Sequence, residues 1–163
     1  MKNPFTEADI NRHAIWEMLV ERDIAAYCAG DWSMTGSDFQ EQGFFGLHAH
    51  GQDNPDKWRL DFPNLAAYRD DWLRQAAESA KVNYTEPLNE AIHRAMSIGE
   101  IDLGDGVAVV RKKFDGRIRR SDGGEDILNW QSIFFCAKLI DQWKVTSFIG
   151  YLPNPMGGAS ARG

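Results

Sequence analysis

Cysteine is scarce in this 163-residue chain, with Cys28 and Cys136 the only two. A disulfide scaffold is therefore not what holds it together, and free buried thiols in a reducing compartment are the simpler expectation. Excess positive charge is missing too. The formal net charge is −6, and the one basic run, Arg111-Lys112-Lys113 with Arg117, Arg119 and Arg120, is offset by Asp115, Asp122, Glu125 and Asp126. A phosphate backbone would find little net attraction, so nucleic-acid binding is not expected. No apolar run is long enough to span a bilayer, and the start MKNPFTEAD has no apolar core of a leader. A cytoplasmic protein without a membrane partner is the default. Phosphate-loop and nucleophile-elbow motifs are absent as well, and neither cysteine has a local activating motif.

What the chain does have is apolar and aromatic mass. Hydrophobic residues make up 43% of it, enough for one packed domain, expected over residues 1–153 with a mobile tail at 154–163. Six Trp and nine Phe can serve a core, an interface or a pocket wall.

Thr6 and Asp9 form a capping-box-like start, and a helix to Ala29 is expected from the stripe Trp16, Val20, Ile24 and Tyr27. Gly30 suits its C-terminal cap, and Asp31 suits the N-cap of a short helix from Trp32. The segment from Phe44 to His50 reads as a strand. A further helix over 65–81 carries the stripe Leu65, Tyr68, Trp72 and Ala76. From there strands are expected: 91–101, 107–114, and a long closing hairpin over 127–152 that turns at Ile140-Asp141. Asp115-Gly116 reads as a turn.

That hairpin is apolar on both parities. Trp130, Phe134 and Cys136 alternate with Ile133, Phe135, Ala137 and Leu139. A sheet wetted on one face would alternate apolar with polar, so both faces need cover. Helices grouped ahead of the strands predict an α+β fold, a curved and mostly antiparallel sheet wrapped around the N-terminal and central helices. A second copy of the chain, making a homodimer through the sheet, accounts for the other face.

The Gly30-Asp31-Trp32 corner, the single strand before the third helix and the closing pattern Asp141-x-Trp143-Lys144-Val145-x-x-Phe148 resemble the nuclear transport factor 2-like superfamily, including its SnoaL-like members. The resemblance spans about Thr6 to Pro153. It implies a cone with an interior pocket at its wide end, often dimeric. Members include ketosteroid isomerases, polyketide cyclases, scytalone dehydratase and epoxide hydrolases, alongside proteins that only bind ligands or partner proteins.

His48 and His50 are the candidate catalytic groups, since a neutral imidazole can move protons near pH 7. The resemblance puts them near the strand position where isomerases carry a carboxylate, which this chain does not have. It also puts Tyr27, Asp31 and Trp32 at a corner near the pocket, where dehydratase-type members use a Tyr and an Asp. Asp31 is then a candidate acid, although N-capping explains it more simply. Tyr27, Trp32, Tyr68, Trp72 and Trp130 are the candidate ligand-binding residues, aromatic walls for a flat apolar molecule; core packing is the simpler reading of Tyr68 and Trp72 and is compatible with that role. The H-x-H pair could supply two metal ligands, with a third from His93 or Asp53. Neither sits at a diagnostic spacing, so no metal and no cofactor is expected. The function expected is small-molecule binding in a pocket, with acid–base catalysis of the isomerase, cyclase or dehydratase type. The alternative is a noncatalytic binding or protein-interaction module.

Overall fold

A computed structural model describes residues 1–157. The first helix runs from Ile10 to Ala29 in three parts: α1 (Ile10–Trp16), a π-helical turn over Glu17–Arg22, and α2 (Asp23–Ala29). Asp9 caps it by accepting from the Arg12 amide, and Thr6 instead closes the preceding turn through its carbonyl. Gly30, at φ 65°, ends it in the left-handed conformation that an L side chain resists. The wide π-helical turn resets which side chains of α2 face inward. Wide turns of this kind are common beside functional sites.

Three elements differ from the sequence expectation. Residues 88–95 form α4 (Leu88–Ala95), not a strand; Leu88, Ala91, Ile92 and Ala95 fall at helical spacing, and Pro87 opens it. The strand β3 (Met96–Leu103) starts directly afterwards. Asp115-Gly116 is not a turn but the middle of β4 (Val107–Arg119), with Gly116 opposite Leu128. An unforeseen short edge strand, β2 (Arg59–Phe62), pairs antiparallel with β1 (Phe45–His48). The expected third helix appears as α3 (Leu65–Ala80), capped by the Asn64 side chain.

With β5 (Glu125–Leu139) and β6 (Gln142–Leu152), the strands make one curved, open mixed sheet in the order β2-β1-β6-β5-β4-β3. Among these six strands only the pair β1–β6 is parallel. The helices lie on its concave face, so the fold is α+β as expected. Among the described residues no helix is long and apolar enough to cross a membrane. Both cysteines are free, but only Cys136 is buried; Cys28 is exposed. Most of the expected tail, residues 158–163, lies outside the described residues.

The closing hairpin has a two-residue turn, with Ile140 and Asp141 at φ 49° and 61° and Leu139 opposite Gln142. Two register shifts follow, so nine residues of β5, from Gln131 to Leu139, span eleven of β6, from Gln142 to Leu152. The first brings Phe148 onto the same core face as Trp143 and Val145, and turns Ile149 outward beside Ile133. Unbroken alternation along β6 would put Ile149 on the face of Trp143 instead. A β-bulge moves every later side chain by one step. The second shift lets Tyr151, at φ 58°, come within 5.7 Å of Trp130.

Candidate functional site

The concave face of β4, β5 and β6, with α2, α3 and α4, encloses a cavity of about 600 Å³. Tyr27 on α2, Trp72 on α3, Phe114 on β4, Trp130 on β5 and Tyr151 on β6 form aromatic walls. Phe114 stacks on Trp130 at 4.5 Å, and Tyr27 meets Trp72 edge-on at 5.7 Å. A larger volume, about 750 Å³, is an open groove on which Trp32, Phe39 and Ile140 sit. Its polar side chains, among them Gln40, Glu41, Arg69 and Lys144, are all at least partly exposed. Size alone does not make a site, and the aromatic cavity is where the chemistry gathers.

Its polar floor is an ion pair. Lys112 of β4 is 3% exposed, and its Nζ donates to Asp23 Oδ2 at 2.8 Å and to the Leu19 carbonyl at 2.5 Å. Leu19 lies in the π-helical turn and Asp23 is the first residue after it, so that turn aims both acceptors at one ammonium. Asp23 Oδ1 also receives a long hydrogen bond, 3.4 Å, from Trp72 Nε1. The ammonium stands 5.6 Å from the centre of the Phe114 ring. Such a charge loses its water on folding and is tolerated only with these partners.

Tyrosine hydroxyls ring the same space. Tyr27 bonds Ser79 Oγ at 2.8 Å, Tyr151 receives from Gln75 Nε2 at 2.8 Å, and Tyr84 donates to Asp126 at 2.8 Å. Burial, with Asp23 nearby, pushes the Tyr68 hydroxyl well above its ordinary pKa. Burial also raises Tyr27 and Tyr151, and burial together with the Asp126 bond brings Tyr84 to about 12. All four are proton donors at neutral pH.

The residues singled out in the sequence do not gather in one place. Tyr27, Tyr68, Trp72 and Trp130 line the cavity. Trp32 packs between Phe39, Tyr68 and Trp72 and faces the open groove instead. Asp31 is an exposed cap whose carboxylate accepts from the Ser33 amide and hydroxyl, outside the cavity lining. His48 and His50 do not line the cavity either. Their rings stack at 3.9 Å near the β1–β2 edge, and His48 stacks on Tyr151 at 4.2 Å, so Tyr151 is shared between that edge and the cavity wall. His93 belongs to α4, with a buried Nδ1 that has no hydrogen-bond partner. Sequence reasoning missed Asp23 and Lys112 altogether.

No protein-family model matches the sequence, and neither does any curated protein. Solved structures do. An NTF2-like protein of unknown function from Pseudomonas putida superposes with a TM-score of 0.57 at 16% identity, covering 91% of this chain and 89% of its own. One from Shewanella baltica gives 0.54 at 20% identity, covering 90% and 97%. The chain has the NTF2-like fold. A third NTF2-like neighbour, from Silicibacter pomeroyi, gives 0.53 at 14% identity over 90% and 98%. At these identities the NTF2-like likeness speaks for architecture and leaves the chemistry of this cavity to its own residues.

Proposed function

We propose that this NTF2-like protein binds a small, flat, largely apolar molecule in the 600 Å³ cavity and transfers a proton on it. The observation that carries the reading is the buried Lys112–Asp23 pair at the base of aromatic walls. Asp23 is the candidate general base: one oxygen is held by Lys112, and its second oxygen has only the long Trp72 bond. A ligand carbonyl directed at the Lys112 ammonium and the Tyr68 hydroxyl would have its developing negative charge stabilised there. Proton removal beside that carbonyl, and return at another carbon, is isomerase-type chemistry. With a leaving hydroxyl it becomes dehydration, and with an internal electrophile cyclisation. In this reading the catalytic roles expected of His48, His50 and Asp31 pass to Asp23 and Lys112, because those two line the cavity.

The test is hydrogen–deuterium exchange at carbon acids. A panel of cyclic ketones and aromatic ketones incubated in heavy water with the protein should include members that lose their α-proton NMR signals. Asp23→Asn should slow this by roughly a hundredfold or more while still binding the same compounds. Exchange that survives in Asp23→Asn removes the carboxylate from the mechanism. Thermal stabilisation without exchange across the panel supports the second reading, a noncatalytic binding protein, which the engagement of both Lys112 and Asp23 in structural bonds also favours.

We further propose that the convex face of the sheet meets a second copy of the chain. Across the strands Val109, Phe135, Ser147 and Phe45 form one row, and Arg111, Ile133, Ile149 and Leu47 the next. Phe45 is 44% and Phe135 37% exposed in the single chain. The helices occupy the concave side only, and an apolar stripe of this kind is a usual dimer surface.

A further inference from the structure

The β1–β2 edge carries a second cluster, separate from the Lys112–Asp23 pair. His48 ends β1. His50 and Gly51, at φ 52° and 72°, then turn the chain sharply and fold the His50 ring over His48. A left-handed histidine is uncommon, so this placement has to be held by its surroundings. On the facing strand the register shifts. Gly46 opposes Phe62 and His48 opposes Arg59, so Leu60 and Asp61 stand against Leu47 alone. A bulge of this kind re-aims a side chain at a sheet edge. Here Asp61 Oδ2 lies 2.8 Å from His50 Nε2.

We propose that His48, His50 and Asp61 form a divalent transition-metal site. One ligand atom from each lies within 4.8 Å of the others, on three residues brought together by a turn and a bulge. Two imidazoles and one carboxylate suit zinc and its neighbours; magnesium and calcium prefer all-oxygen shells. The cation takes the place of the proton between His50 Nε2 and Asp61, and competes with the His50 amide N–H, 2.9 Å away, for His48 Nδ1. The His48 ring is half-buried against His50 and Tyr151. Asp61 and Asp71 act on the same ring with negative charge, a field that draws in a cation. His50 and Asp61 side chains are 43% and 36% exposed, so the site has an entry path and room for water or a further ligand. His93 and Asp53, the third ligands considered from the sequence, are not in this cluster; Asp61 is.

The experiment titrates chelator-stripped full-length protein with zinc chloride by calorimetry, with metal content after dialysis measured separately. One equivalent per chain is expected, with proton release and a rise in Tm. His50→Ala and Asp61→Asn should each weaken binding by roughly tenfold or more. His13→Ala, which alters an imidazole outside the cluster, should leave binding unchanged. Both weakened variants are exposed at the surface, so their Tm without metal checks that the fold is intact. Failure of the wild type to retain zinc through dialysis overturns the proposal. So does retention that His50→Ala and Asp61→Asn leave unaltered.

Discussion

Lys112 and Asp23 meet 2.8 Å apart, the lysine side chain 4% exposed and the aspartate 26%. The asymmetry predicts which partner is more dangerous to remove. Asp23→Asn leaves a dry ammonium with the Leu19 carbonyl as its main acceptor and should cost about 3 kcal/mol. Lys112→Met leaves a carboxylate that water can still reach and should cost roughly 1 kcal/mol. Urea denaturation of both variants checks the order. An equal or reversed order would mean that the pair is not a buried anchor of the fold.

The tyrosines give a pH prediction with a definite sign. All four, Tyr27, Tyr68, Tyr84 and Tyr151, have folded pKa values raised above the ordinary 10, and Tyr84 reaches about 12. Burial lifts the Cys136 thiol from 9 to about 12 as well. A raised folded value means that the stability is fully present below the unfolded pKa and is lost as pH climbs through the folded one. Stability should therefore decline from about pH 9 upward, and tyrosinate absorbance should appear together with loss of helix signal. A tyrosine titrating near pH 10 in protein that is still folded would contradict the burial.

Much of this architecture was legible because period and punctuation agree. The α3 stripe with Asn64 before it, and Gly30 closing α2, are local signals that packing reinforced. The α4 helix was hidden because Leu88, Ala91, Ile92 and Ala95 run without a break into the apolar Met96, Ile98 and Ile101 of β3, so one long strand fits the string equally well. The site was harder still. Lys112 sits inside Arg111-Lys112-Lys113, and nothing in that run says that the middle ammonium faces inward while Arg111 pairs with Glu100 and Asp102 outside. Its partner Asp23 is 89 positions away. Strand parity would have indicated it: Lys112 shares its face with Val110 and Ala108.

Gly116, taken from the sequence as a turn glycine, has a steric reason to be there. A Cβ on it would meet the Ala95 Cβ at 2.6 Å and the Ala95 Cα at 3.0 Å. In a strand, replacing glycine by alanine ordinarily gains stability. Here the added methyl must push α4 off β4, so Gly116→Ala should lose about 1–3 kcal/mol. Gly99→Ala in β3, where a Cβ meets nothing within 4 Å, is the control and should be neutral or slightly stabilising. If both substitutions stabilise, α4 does not pack as closely on the sheet as these distances require.

The convex face offers the last test. Phe135 stands between Val109 on β4 and Ser147 on β6, with Phe45 in the next strand, near the middle of the exposed stripe. If a second copy covers this stripe, light scattering of the wild type should give twice the chain mass, and Phe135→Glu should give the single-chain mass. Two carboxylates facing each other across a two-fold interface would have to be desolvated together, which no nearby hydrogen bond offsets. The concave cavity lies on the other side of the sheet, so the Phe135→Glu monomer should keep ligand-induced thermal shifts. A wild type that is monomeric at tens of micromolar, well above the dissociation constant expected for a standard interface of about 800 Å² per partner, rules this assembly out.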